Sequence, residues 1–316
     1  MDFQEEMGSP GTPGAVKAYQ DLLKADMLVI MDGTRHISNL PTLTFGARGI
    51  AKLTLKVFGP KNPLHSGQYG NYAPNPAFRL AKLLGSLKED NGRVAIHGFY
   101  DGIELSDAEK AILNSVPEDQ QALNKRLGIS KSEAVGETYQ EALQYPSLNV
   151  RGMQSAWVGK EVRTIIPSEA IAEIDMRLVP ESEPNRLFGL IKAHILEQGF
   201  HIVENEPTAG ERAAHDKLIA IDFSVSYLAF RTPYDSNIGI WLNQALTRAF
   251  GFAPVRMRTT GGSQPMGPFI QTLGVPAVSV RIPNPDNNIH SPNENLRLGN
   301  FMEGLQSCIS VLTEKP

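Results

Sequence analysis

The sequence predicts an α/β domain interrupted by an inserted α+β domain of ferredoxin-like order. Three observations carry this. Residues 27–31 form a continuous apolar run that ends at Asp32, the length and composition of a strand buried in a parallel sheet. From Arg48 the pattern changes to strict alternation, with Gly49, Ala51, Leu53, Leu55 and Val57 on one side and Arg48, Ile50, Lys52, Thr54 and Lys56 on the other. That is the period-two signature of a half-exposed strand. The last third returns to alternating helices and strands.

Taken in order, residues 2–4 read as a strand stub, and Thr12 as an N-cap with Pro13 at the first helical position. The helix then runs to about Lys24, with Val16, Tyr19, Leu22 and Leu23 on one face. Beyond the alternating strand, Phe78, Leu80, Ala81, Leu83, Leu84 and Leu87 have helical spacing. Residues 92–145 read as an insertion with one or two polar helices. Residues 161–166 and 170–178 read as a pair of hairpin strands, followed by a helix over 183–198 and a strand over 200–204. With the insertion set aside, the order is β-α-β-β-α-β. The remainder predicts a helix over 237–250, a strand over 255–259, a short helix toward Leu273, a strand over 277–282 and a closing helix from about Glu294. Ser291 and Glu294 have capping-box spacing at its start. The expected divisions are 1–47 and 207–316 for the α/β domain and 48–206 for the inserted one.

Composition excludes several classes. The 316 residues carry a net charge of −4, with 41% hydrophobic and 20% charged residues, ordinary for a folded chain of about two domains. The mildly acidic balance argues against nucleic acid or an anionic membrane as partner. No apolar run is long enough to span a bilayer. The single cysteine, Cys308, forms no intrachain disulfide and no thiolate metal cluster, which fits a reducing cytosol and leaves a periplasm open. The acidic start does not resemble a signal peptide. Any metal is therefore held by His and carboxylates.

Glu5-Glu6 and Asp32 follow two successive predicted strands, which places them together at a sheet's carboxyl edge, where open α/β sheets bind ligands. Adjacent acids on an extended segment point to opposite sides, so one can bind a metal while the other activates its water. His290 lies in a polar loop beyond another strand end. Glu6, Asp32 and His290 form an oxygen/nitrogen ligand set suited to zinc, with manganese or cobalt less preferred. Gly261-Gly262-Ser263 before a helix can cradle an anion, although that triplet is also common turn chemistry. His36, His97, His194, His201 and His215 show no ligand spacing and read as surface or satisfied histidines.

Five motifs occur in order: Glu5-Glu6-Met7-Gly8-Ser9, Asp32, Leu64-His65-Ser66-Gly67, Gly261-Gly262-Ser263-Gln264-Pro265 and His290-Ser291-Pro292-Asn293-Glu294. The series resembles the co-catalytic zinc metallopeptidases of the aminoacylase, carnosinase, carboxypeptidase G and succinyl-diaminopimelate desuccinylase type. The resemblance implies a zinc-exopeptidase-like catalytic domain interrupted by a lid domain that dimerises. It implies Glu5 as general base, Glu6, Asp32 and His290 as metal ligands, and His65 as an oxyanion-stabilising histidine that reaches a partner's site. Asn149, Arg177 and the Gly261–Ser263 loop would contact substrate. The family's His-x-Asp ligand pair has no counterpart in this sequence, and with the short opening strand this predicts a catalytic domain lacking its N-terminal part.

The expected activity is metal-dependent hydrolysis of an amide next to a free carboxylate, in a dipeptide or N-acyl amino acid, by a homodimer. The long insertion and Arg177-Leu178-Val179-Pro180 favour the dipeptidase branch. The alternative is a non-catalytic chain acting only as a dimerisation module. A third reading, an unrelated α/β protein, is disfavoured by the ordered motifs.

Overall fold

The computed structural model describes residue 4, residue 7, and residues 9–262 and 266–315. The chain opens with α1 (Thr12–Ala18), β1 (Leu28–Ile30), β2 (Thr42–Thr44) and β3 (Gly46–Ala47). It continues through β4 (Gly49–Phe58), β5 (Leu64–His65), α2 (Ser66–Tyr69) and α3 (Pro76–Ser86). The insertion carries α4 (Asp107–Asn114), α5 (Gln120–Leu127) and α6 (Tyr139–Ala142). Then follow β6 (Ser147–Gln154), β7 (Ile165–Ile166), β8 (Glu169–Leu178), α7 (Pro184–Glu197), β9 (His201–Val203), α8 (Ala209–Ala214) and β10 (Leu218–Tyr227). The last part holds β11 (Phe230–Arg231), α9 (Asn237–Phe250), β12 (Val255–Met257), α10 (Gly267–Leu273), β13 (Ala277–Arg281) and α11 (Leu298–Thr313).

Two main sheets confirm the mixed α/β architecture. The first has the order β1-β13-β2-β12, and β1 runs parallel to β13, pairing Leu28 with Ala277 and Ile30 with Ser279. Its core joins Leu43, Phe45, Val278 and Val280 to Ile238, Leu242 and Leu246 of α9 and Val311 of α11. The second, the lid sheet, has the order β6-β8-β4-β10-β9. Alternation works there as the sequence predicts: Ala51, Leu53, Leu55 and Val57 of β4 and Ala172, Ile174 and Met176 of β8 are buried. They pack with Leu80, Leu83, Leu187, Ile191 and Ile195 of α3 and α7. The opposite face is polar and open.

The lid departs from the expected order in two ways. Residues 165–166 pair with β5, not with β8. The true partner of β8 is β6, an outer strand whose exposed residues and bulge between Val150 and Gly152 leave no alternation to read. In addition, β10 lies between β4 and β9, so the lid sheet extends past residue 206.

Other boundaries shift for local reasons. Residues 2 and 3 of the expected opening strand lie outside the described residues, and Gln4 is in no strand. The first helix stops at Ala18, and its N-cap is Gly11 rather than Thr12, which is the first helical residue. β1 is half-buried rather than buried on both faces, because among the described residues it is the outer strand of its sheet. The closing helix starts at Leu298. Ser291 and Glu294 close only a backbone turn, and the left-handed φ of 64° at Asn293 keeps that turn from continuing as helix.

The N-cap of α7 is Glu183, whose carboxylate accepts the backbone N–H of Asn185 at 3.0 Å and of Arg186 at 2.5 Å. These bonds, Asn185's first, hold its pKa below the ordinary 4.5. The cap's stabilisation is therefore full above pH 4.5 and is lost as pH falls through the lower folded value. Glu183→Ala is expected to lower the melting temperature at pH 7, with the gap to the parent chain narrowing in acid. A gap independent of pH in thermal melts would contradict this role.

Candidate active site

Because β1 and β13 are parallel neighbours, their carboxyl ends open on the same edge. Asp32 lies just past the end of β1, and the loop that carries His290 follows β13; both side chains are exposed. The turn beyond Asp32 needs a glycine. Gly33 has φ 89°, and a Cβ there would lie 1.7 Å from Nη1 of Arg281. Burial pushes the Arg281 guanidinium down to about 10, while the Asp32 carboxylate favours its charged form.

The His290 loop is held by a residue that carries no local sequence signal. Asn284 is fully buried; its Nδ2 donates to Asp286 at 2.8 Å and to Asn295 at 3.1 Å, and its Oδ1 accepts the Arg297 N–H at 2.8 Å. This pins both ends of the loop, within which Asn288 and His290 take left-handed φ values of 54° and 58°.

The donor chemistry at this edge, one carboxylate and one imidazole, fits an ion of the zinc class. Among the described residues no three His, Cys, Asp or Glu side chains come together as a metal-holding group. Glu5 and Glu6 lie outside the described residues, as does Ser263.

Gly261 and Gly262 follow β12, which runs parallel to β2 and so antiparallel to β13; their turn leaves the strand end opposite to the Asp32 edge. The insertion fastens this turn. Arg258 pairs with Glu109 and donates to Oε1 of Gln144 at 3.0 Å, and the Thr259 hydroxyl donates to the same oxygen at 3.3 Å. A cavity of about 460 Å³ lies where the insertion faces this domain, with Thr34, Arg281 and Thr260 in its wall.

The remaining predicted residues are on the lid. Asn149 of β6 donates to Asp175 at 3.0 Å, and Nε of Arg177 lies 3.4 Å from the same carboxylate, so β8 gathers both around an acid absent from the sequence reading. Period-two spacing puts Asp175 and Arg177 on the polar face of the sheet. His65 is exposed at the N-cap of α2, where Nδ1 accepts the Gly67 N–H at 3.1 Å. The neutral ring then carries its proton on Nε2.

Comparisons agree with this architecture. The chain is 28% identical over 320 residues to the Cys-Gly metallodipeptidase dug1 of Schizosaccharomyces pombe, covering 99% of this chain and 65% of that protein. It is 26% identical to the Beta-Ala-His dipeptidase of Homo sapiens, covering 99% of this chain and 61% of that one. The fold superposes with a TM-score of 0.80 on an M20 family metallo-carboxypeptidase, Sso-CP2 from Sulfolobus solfataricus, at 28% identity, covering 98% of this chain and 68% of that chain. The chain thus spans about three-fifths of the length of the curated relatives it matches. Among the described residues no helix is long and apolar enough to cross a membrane. Residues 45–202, half of the chain and most of the lid, match the peptidase dimerisation domain of the M20 peptidases, and the chain belongs to that family.

Proposed function

We propose that the whole protein is a metal-dependent hydrolase that cleaves an amide bond next to a free carboxylate, in a dipeptide or an N-acyl amino acid. What supports this is that Asp32 and the loop that carries His290 follow adjacent parallel strands, in a chain similar to proteins named as metallodipeptidases. In this reading Asp32, His290 and Glu6 hold zinc, with manganese or cobalt as substitutes. A bound ion of this class supplies Lewis acidity toward the carbonyl and lowers the pKa of water. Glu5 takes the proton of the attacking water and returns it to the leaving amine. Arg177, steadied by Asp175, offers a guanidinium fork to a substrate carboxylate, and Asn149 adds a hydrogen bond.

The lid pairs with a second copy of the chain, and His65 reaches the partner's site with its Nε2–H aimed at the oxyanion. Because His65 is exposed and caps only the short α2, His65→Ala is expected to cost no more than about 1 kcal/mol of stability. Its kcat should fall by about a hundredfold or more. An unchanged kcat would remove the oxyanion role.

Metal analysis of the purified protein beside a dipeptide hydrolysis assay tests the whole reading. Stoichiometric zinc with turnover supports it. A dimer with neither supports the alternative, a lid-mediated dimerisation module.

A further inference from the structure

The insertion lies over two cavities and shares little apolar packing with the rest of the chain. Among the described residues, none of α4, α5 or α6 belongs to the buried apolar layer of either main sheet, and α5 has no buried residue. Leu113 and Val116 are buried, yet they line a space of about 90 Å³ whose walls all come from residues 113–140 of the insertion itself. Beneath it, one cavity of about 460 Å³ faces the first sheet and another of about 260 Å³ faces the lid sheet.

Its polar fastenings are uneven. The trailing leg, residues 133–145, is bonded to the body at several points. Glu133 pairs with Lys88 at 2.9 Å, the Ala134 N–H donates to the Asn91 carbonyl at 2.8 Å, and Arg48 donates to the Tyr145 carbonyl at 2.8 Å. Oε1 of Gln144 accepts from Arg258 at 3.0 Å and from the Thr259 hydroxyl at 3.3 Å. The leading part, α4 and α5, is held differently. Nε2 of His36 stops 3.9 Å from Oε1 of Glu118, beyond hydrogen-bond reach, and is buried with no hydrogen-bond partner among the described residues. Glu118 meets Nε2 of Gln140 only at 3.3 and 3.5 Å. A permanently closed interface seldom leaves a buried polar atom unmatched. The firm bond is that of Glu109, in the first turn of α4, whose Oε1 pairs with the nearly buried Arg258 guanidinium. Its Oε2 accepts the Ser106 N–H at 2.9 Å and the Ser106 hydroxyl at 2.8 Å, so the carboxylate is preset to face Arg258.

We propose that residues 106–132, α4 and α5, form a flap that swings on the trailing leg, with the Glu109–Arg258 ion pair as its latch. Little shared apolar burial, cavities beneath and one firm charged fastening are the physical marks of a segment that opens without global unfolding. Opening widens the larger cavity, whose wall holds Thr34, two residues past Asp32, so the flap gates the Asp32 edge. That gating role rests on the hydrolase reading; the motion does not.

Hydrogen exchange followed by mass spectrometry on the full chain in EDTA tests it. In the parent chain the amides of α4 and α5 are expected to exchange at least about a hundredfold faster than those of β4 and β8. Glu109→Gln keeps the capping box, since Gln also serves at that position, and removes the charge that faces Arg258. It should raise exchange in α4 and α5 by about a further tenfold or more and leave β4 and β8 unchanged. Exchange of α4 and α5 at the rate of β4 and β8 in the parent chain overturns the flap, whatever the variant does. Unchanged exchange of α4 and α5 in Glu109→Gln, or an equal rise in β4 and β8, overturns the latch. Because metal is chelated throughout, failure here leaves the hydrolase reading untouched, and failure of hydrolysis leaves the flap untouched.

Discussion

Asp32→Asn is expected to reduce hydrolysis by on the order of a thousandfold or more and to lower bound zinc below stoichiometry. The substitution preserves shape and removes the anionic oxygen that a divalent ion requires. Asp32 is exposed beyond the last residue of β1, and its charge also favours the charged form of the buried Arg281 guanidinium. A modest drop in melting temperature is therefore expected, with the variant still folded at assay temperature, which separates loss of chemistry from loss of structure. Kinetics, metal content and a thermal melt on the same preparation suffice. Turnover kept within tenfold, with zinc still stoichiometric, would falsify the ligand role of Asp32.

The second large effect concerns stability. Ile174 is fully buried at the centre of the lid, where β8 pairs with Leu53 of β4 on one side and Val150 of β6 on the other. Ile174→Ala deletes methyl groups from a close-packed layer between sheet and helices, at an expected cost of about 2–5 kcal/mol. Urea unfolding should show a lower midpoint with an unchanged slope. A change below about 0.5 kcal/mol would mean that this layer is not the packed core described above.

The parts of the fold legible in the sequence are those where a single physical demand sets the pattern. The helix 237–250 is present to the residue, because Ser236 at its N-cap and Gly251 at its C-cap, with φ 77°, bound a clean apolar stripe. The β4 strand reads plainly because helices cover one face and solvent the other. β6 was invisible because an outer strand with a bulge and exposed side chains needs no alternation. The parallel pairing of β1 with β13, which sets the loops after them on one edge, is legible from the two apolar runs and the α/β alternation between them. His36 carries no such signal, since burial of one imidazole beside an acid 82 positions away has no local signature. Asn284 escaped for the same reason: its bonds reach residues 295 and 297, across a loop with no periodicity.

The strand order in the lid has a mechanical consequence. The chain enters the lid through β4 and leaves through β10, and these two are antiparallel neighbours in register from Phe58 and Leu218 to Ala51 and Val225. The pairing resumes across the junction, where Gly46 and Ala47 of β3 meet Arg231 and Phe230 of β11. Glycine is needed at this crossing: a Cβ on Gly46 would lie 2.6 Å from the Phe230 carbonyl oxygen, and one on Gly49 2.6 Å from the Ala229 nitrogen. Entry and exit are thus one twin-stranded strap rather than two separate threads. Such a strap resists twisting and sliding and yields most readily to flexing across its flat face, so the lid has in effect one axis on which to swing.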